Sequence, residues 1–223
     1  MCGRFTLHRP VKVVEEFDLG GMPELAPRYN IAPTQQIFAV RGSDGGREGS
    51  LLRWGLVPSW SASLTGGAPL INARADTVAA KPAFRSAFKK RRCLVPADAF
   101  YEWKTEGKKK LPHMFSLLDG SLLAIAGLWE VWEKDGQRVE SVCLITTEAN
   151  EVVRAAHDRM PAILPPDARG AWLDPASDAG LLQSLLRPYP AEVMTCRQVN
   201  PALNNARNEG PECLEAPVQA AMF

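Results

Sequence analysis

The sequence predicts an α+β fold: a single domain built on curved antiparallel β-sheets, barrel-like, with a few peripheral helices. Three observations carry that expectation. Short runs rich in β-branched and aromatic residues recur along most of the chain. Turn-forming segments separate them at hairpin spacing. Helical periodicity is confined to a few short stretches, and there is no regular alternation of strand and helix such as a parallel sheet needs.

Taken in order, VKVVEEF at 11–17 has the spacing of a short helix, and QIFAV at 36–40 that of a strand. AFRSAFKKRRC predicts an amphipathic helix over 82–90, with Phe84 and Phe88 inward at a spacing of four and the cations outward. RCLVP at 92–96, AFYEW at 99–103 and HMFSL at 113–117 read as strands, the last two joined through TEGKKK at 105–110. LLAIAGLW at 122–129 and VCLITT at 142–147 form a second pair around EKDGQ at 133–137. PDARGAWL at 166–173 and DAGLLQSLL at 178–186 are helical, and EVMTC at 192–196 is a last strand. No repeat, low-complexity block or linker divides these elements. They predict one domain over 1–223, with its core about 2–215, long enough to need no staples.

Composition removes several function classes. No apolar run approaches the length of a membrane span. Val11, Val13 and Val14 are interleaved with Lys12, Glu15 and Glu16, so the N-terminal stretch is no secretory signal. The five cysteines (Cys2, Cys93, Cys143, Cys196 and Cys213) are odd in number, widely spaced and without a CxxC pair. That argues against a disulfide framework and against a metal site, and for a reducing cytoplasm. The net charge of +1 conceals an asymmetry: residues 81–110 carry ten Lys and Arg against three acids, and residues 140–223 six Arg against eleven acids. A positive face on a near-neutral protein suits an anionic partner, nucleic acid above all.

Candidate site residues fall in seven stretches. In MCGRFT, Cys2 follows the initiator Met, whose removal would give it a free α-amine beside its thiol, and Arg4 lies close by. YNIAPT carries Asn30 and Pro33 into a strand, and RWGLVPSW carries Trp60. In INARADT, Asn72 and Arg74 face one side of a strand at period two. In FYEW, Glu102 takes the strand face opposite Tyr101 and Trp103, and aromatic neighbours desolvate a carboxyl toward proton transfer near neutral pH. AHDRMP holds His157, and NNARNEG holds Asn205.

MCGRF, RYNIAPTQ, RWGLVPSW, INARADT, RCLVPADAFYEW, AGLWE and HDRMP together resemble the ordered motifs of the SRAP family, the SOS-response-associated peptidase-like or abasic-site processing proteins. The resemblance runs from Cys2 to about residue 210; Ala99 departs from the Gly that many relatives carry before the aromatic-Glu pair. It implies a DNA-damage protein that binds single-stranded DNA and traps abasic sites through the processed Cys2, with associated lyase action through the imine. Cys2, Asn72, Glu102 and His157 are then the catalytic group. Arg4 and Arg74 hold phosphates, Pro33, Trp60 and Trp103 stack on or wedge between bases, and Asn30 and Asn205 complete the DNA-binding set. The implied protein uses no cofactor or metal, acts as a monomer, and is cytoplasmic, nucleoid-associated when on DNA. Two other readings stay open here: a cysteine peptidase using Cys2, Glu102 and His157, most plausibly on its own leader, and a non-catalytic nucleic-acid-binding module.

Overall fold

The computed structural model describes residues 2–21, 24–64 and 67–217. Its strands are β1 Phe5–Leu7, β2 Arg28–Ile31, β3 Gln36–Ser43, β4 Gly46–Trp54, β5 Asn72–Arg74, β6 Arg92–Ala97, β7 Ala99–Glu106, β8 Lys109–Leu117, β9 Leu123–Lys134, β10 Gln137–Glu148, β11 Arg159–Pro161 and β12 Met194–Gln198. Five short helices accompany them: α1 Lys12–Glu16, α2 Arg85–Lys90, α3 Glu151–Arg154, α4 Pro166–Leu173 and α5 Ala179–Ser184.

One sheet has the order β12-β8-β7-β1-β2, and the other β11-β10-β4-β3-β6-β9 with β5 on β10. The long hairpins form where alternating runs meet a turn that the sequence can make. Asp135 and Gly136 both take positive φ, 52° and 74°, the mirror-image turn that matches strand twist, and β9 and β10 pair away from it from Lys134↔Gln137 to Gly127↔Leu144. Gly107, with φ 60°, does the same between β7 and β8. In the β3–β4 pair, a Cβ at Gly49 would come within 2.2 Å of the Phe38 ring, so glycine there makes room for a core aromatic.

The second sheet bends until β10 meets both β4 and β9, but it is not a true barrel. The β4–β10 ladder holds only Arg53↔Ser141 and Trp54↔Val142, and it is parallel, as is the β5–β10 pairing. The expected curved antiparallel sheets are therefore present as two sheets, and only the barrel-like closure is corrected, to short parallel joins. Both contribute to one core, in which Phe5 and Phe100 from the first sheet meet Trp54, Leu94 and Leu144 from the second.

The first sheet is covered on both faces. Phe100 stacks on Phe115, ring centroids 5.1 Å apart, within the main core. Ala99 and Tyr101 point the other way, into a smaller cluster with Met114, Val199, Leu203 and Cys213, and Trp103 packs against it. Glu102 therefore shares the face of Phe100, at the edge of the main core.

Helix α2 forms over Arg85–Lys90, starting later than the predicted 82–90, with Phe84 at its N-cap and Phe88 within it both buried. The outward cations need a correction. Arg92 is buried, and its guanidinium donates to the carbonyls of Phe88, Lys89, Trp172 and Asp174, closing the helix end onto α4. Arg91 pairs with the largely buried Glu130 at 2.6 Å. Lys89 and Lys90 remain exposed. No helix among the described residues is long and apolar enough to cross a membrane.

Candidate functional site

Cys2 enters β1 fully buried in the main core beside Phe5. Burial pushes its thiol well above the ordinary thiol range, and the Glu102 carboxylate adds to that. The sulfur is accordingly a neutral thiol at neutral pH, the opposite of an activated thiolate. Asn72 reaches Cys2 from β5, its Nδ2 donating to the Cys2 carbonyl at 2.9 Å. Strand β5 is held for this by its parallel pairing with β10, Asn72 opposite Leu144. The Asn72 Oδ1 is buried and accepts no hydrogen bond from the described residues, an open acceptor on the same amide that grips residue 2.

Glu102 comes from β7, opposite His113 of β8, and is 4% exposed. Burial raises its carboxyl above the usual carboxylate range, and His157 pulls in the opposite direction. His157 sits just past α3, its N–H donating to the Val153 carbonyl at 3.0 Å. Its Nδ1 accepts the Arg159 N–H at 3.0 Å and also lies 2.7 Å from Asp158 Oδ1. The first contact requires an acceptor and the second a donor. One nitrogen cannot serve both at once, so the backbone bond goes with a ring whose proton is on Nε2 and the Asp158 contact with a ring protonated at Nδ1.

Glu102 and His157 open onto a groove of about 680 Å³, lined also by Arg4, Trp103, Thr105, Lys110 and Asn204. His157 also lines a second hollow of about 540 Å³ with Arg74, Glu148, Arg154, Asp158 and Arg159. The imidazole thus stands where the two meet. Cations and an aromatic wall the first, with the Arg4 guanidinium 5.6 Å from the Trp103 ring centre. The second is charge-balanced, since Arg74 is clasped by Asp76 at 2.8 and 3.1 Å. Among the described residues no group of three His, Cys, Asp or Glu is placed to hold a metal ion. The arrangement joins a buried thiol, a carboxyl shifted upward by burial and an imidazole to an open cationic groove.

The description of the family SOS response associated peptidase (SRAP) matches residues 1–206. The chain belongs to the SRAP family. It is 41% identical to the abasic site processing protein YoaM of Bacillus subtilis (strain 168), over 97% of this chain and 98% of YoaM. It is 32% identical to the abasic site processing protein HMCES of Xenopus tropicalis, over 88% of this chain and 68% of that protein. A crystal structure of a Bacteroides thetaiotaomicron protein superposes with a TM-score of 0.86 at 27% identity, covering 97% of this chain and all of that one.

In this SRAP chain the sequence-read residues divide into three groups. Cys2, Asn72, Glu102 and His157 converge, with Arg4, Trp103 and Arg74 around the two hollows. Trp60 stands apart: it is 69% exposed and lines a third hollow of about 360 Å³ with Thr34, Arg53 and Pro58, sharing no lining residue with the other two. Pro33 adjoins that hollow through Thr34, a β-branched residue held at φ 72°, which is backbone strain of the kind that marks functional loops. Asn30 is the third case, and direct contact with a ligand does not fit its surroundings. It is fully buried, its Oδ1 accepting from Arg4 and its Nδ2 donating to the carbonyls of Leu203, Asn205 and Asn208. Asn205 is exposed, and its Oδ1 accepts the Arg207 N–H. Arg154 and Arg159 were not among the residues read from the sequence. Arg159 had a signal, since it stands two residues beyond His157 in HDRMP.

Proposed function

We propose that this protein processes abasic sites in single-stranded DNA by linking to them through Cys2 after removal of Met1. The observation that carries the reading is the contact of Asn72 with the Cys2 carbonyl, in a chain whose Glu102 and His157 adjoin the same centre. A side chain that grips the backbone of residue 2 orients its amine as much as its thiol.

The chemistry follows from those groups. An abasic sugar opens to an aldehyde, and the Cys2 amine adds to its carbon to form a carbinolamine. Loss of water, assisted by a proton from a carboxylic acid, gives the imine; Glu102, whose burial favours the protonated form, is suited to that step. The thiol then adds across the C=N bond, sulfur to carbon and proton to nitrogen, closing a five-membered thiazolidine. Ring closure within one residue gains effective molarities of roughly 10⁵ M or more. His157 serves the sugar end in its protonated form, giving a proton to the ring oxygen as the hemiacetal opens and returning to the neutral ring. Arg4, Arg74 and Trp103 hold the flanking phosphates and bases. A peptidase gains less support, because a fully buried thiol pushed upward is a poor nucleophile toward an amide.

The test is a single-stranded oligonucleotide with one abasic site. Wild-type protein, its loss of Met1 checked by intact mass, should give a heat-stable adduct. Cys2→Ala should give none while keeping non-covalent binding within about threefold. An undiminished adduct from Cys2→Ala overturns the proposal.

A further inference from the structure

We infer that Glu209 is a positioning residue: it latches the 201–209 segment onto β2 and thereby fixes Arg4 and Trp103 in the groove. Glu209 lies beyond the residues that the family description matches. Its Oε1 accepts the backbone N–H of Tyr29 at 2.8 Å and of Asn30 at 3.1 Å, and its Oε2 accepts from Arg28 at 3.1 Å. Two outward amides of the edge strand β2 are thus filled by a carboxylate from a segment far along the chain.

The consequence passes through Asn30 and Arg4. Asn30 donates to the carbonyls of Leu203, Asn205 and Asn208 and accepts from Arg4 Nη1 at 2.7 Å. The same Arg4 nitrogen donates to the Leu203 carbonyl at 3.1 Å, and Trp103 Nε1 donates to Asn204 Oδ1 at 2.6 Å. Both groove-lining side chains therefore take their positions from the 201–209 segment, and that segment takes its own from β2. Within the segment, Asn208 Nδ2 bonds the Ala202 carbonyl at 2.8 Å, so it moves as a unit. The ion pair with Arg28 is a third exposed and contributes little alone. The two amide bonds to Oε1 are what seat the segment, and they require an acceptor of the right reach rather than a charge.

This inference rests on the proposed function only for its DNA readout, so two readouts are paired. In the full-length protein, the Trp103 indole N–H resonance should shift in Glu209→Ala and stay near its wild-type position in Glu209→Gln, whose amide oxygen still accepts both N–H groups. Affinity for an undamaged single-stranded oligonucleotide should fall about tenfold in Glu209→Ala and less than about threefold in Glu209→Gln. In an Arg4→Ala background, Glu209→Ala should cost less than it does in the wild type, because part of its effect passes through that guanidinium. Should Glu209→Ala fail to fold, Glu209→Asp, one methylene short of both amides, gives the same readings. An unmoved indole resonance overturns the latch whether or not DNA binds. Losses that add fully in the double variant overturn its action through Arg4. A moved resonance in a protein that binds no DNA supports the latch and overturns the proposed function instead.

Discussion

Asn72 Nδ2 donates to the carbonyl oxygen of Cys2 at 2.9 Å, across 70 residues of sequence, and its Oδ1 stays buried without a hydrogen bond from the described residues. One amide thus holds the residue that the proposed chemistry uses and keeps an acceptor free beside it. Asn72→Ala should slow adduct formation by about 10²-fold through misplacement of Cys2. Non-covalent DNA affinity should change by less than about threefold. Single-turnover rates with an abasic oligonucleotide, alongside binding to its undamaged counterpart, check both parts; a loss confined to binding would reassign Asn72 to the DNA.

Arg74 meets its carboxylate partner Asp76 through two bonds, with both side chains about half exposed. A phosphate must compete with Asp76 for that guanidinium. Asp76→Asn should therefore tighten binding of undamaged single-stranded DNA by about two- to fivefold, the scale of an exposed ion pair. The slope of log affinity against log salt should steepen by up to about one phosphate equivalent. Titrations at several salt concentrations decide it. Weaker binding would mean that Asp76 orients Arg74 instead of competing for it.

The strands β3, β6 to β10 and β12 were legible because their patterns are local. Alternation in AFYEW puts Phe100 and Glu102 on one face and Tyr101 and Trp103 on the other, as the two clusters confirm. Strand β4 was not legible, since GREGSLLRW is polar over its first half and its Gly49 matters only because the Phe38 ring lies against it. Residue type also hides burial. Asn30 reads as a surface amide and Arg92 as an exposed cation, yet each is buried because carbonyls from distant segments converge on it. The shared position of Cys2, Asn72, Glu102 and His157 depends on contacts between strands, which spacing along one chain does not encode. Motif resemblance supplied that grouping, and the fold supplied its geometry.

Protonation of Glu102 couples the site to stability. Burial raises its pKa above the ordinary 4.5. For a carboxyl with a raised folded-state pKa, the unfolded chain releases its proton first as pH rises. Its contribution to stability is therefore fully present below about pH 4.5 and lost as pH climbs through the folded value, at about 1.4 kcal/mol per unit of elevation. Glu102→Gln, which cannot ionise, should escape that loss. Its melting temperature relative to wild type should rise as pH climbs above the ordinary carboxyl range and level off once the folded wild-type carboxyl has ionised. Thermal denaturation across these pH values checks the sign, and a difference that is flat or falls with pH would show that Glu102 is not held in its neutral form.

The two residues proposed for proton transfer should separate by substrate. Glu102 acts electrostatically on Cys2, and His157 stands where the two hollows meet, its Nδ1 held by the Arg159 amide. Glu102 is therefore assigned to the amine and the loss of water, and His157 to the opening of the sugar ring. A simple aldehyde needs the first service but not the second. Glu102→Gln should slow linkage both to an abasic site and to such an aldehyde, by about 10²- to 10⁴-fold. His157→Ala should slow linkage to the abasic site by a similar factor and leave the simple aldehyde within about threefold of wild type. Pre-steady-state rates on both substrates, followed from pH 5 to 9, measure the difference directly. Equal slowing of both substrates by His157→Ala would move the imidazole from the sugar to the Cys2 end of the reaction, and leave ring opening to the groove itself.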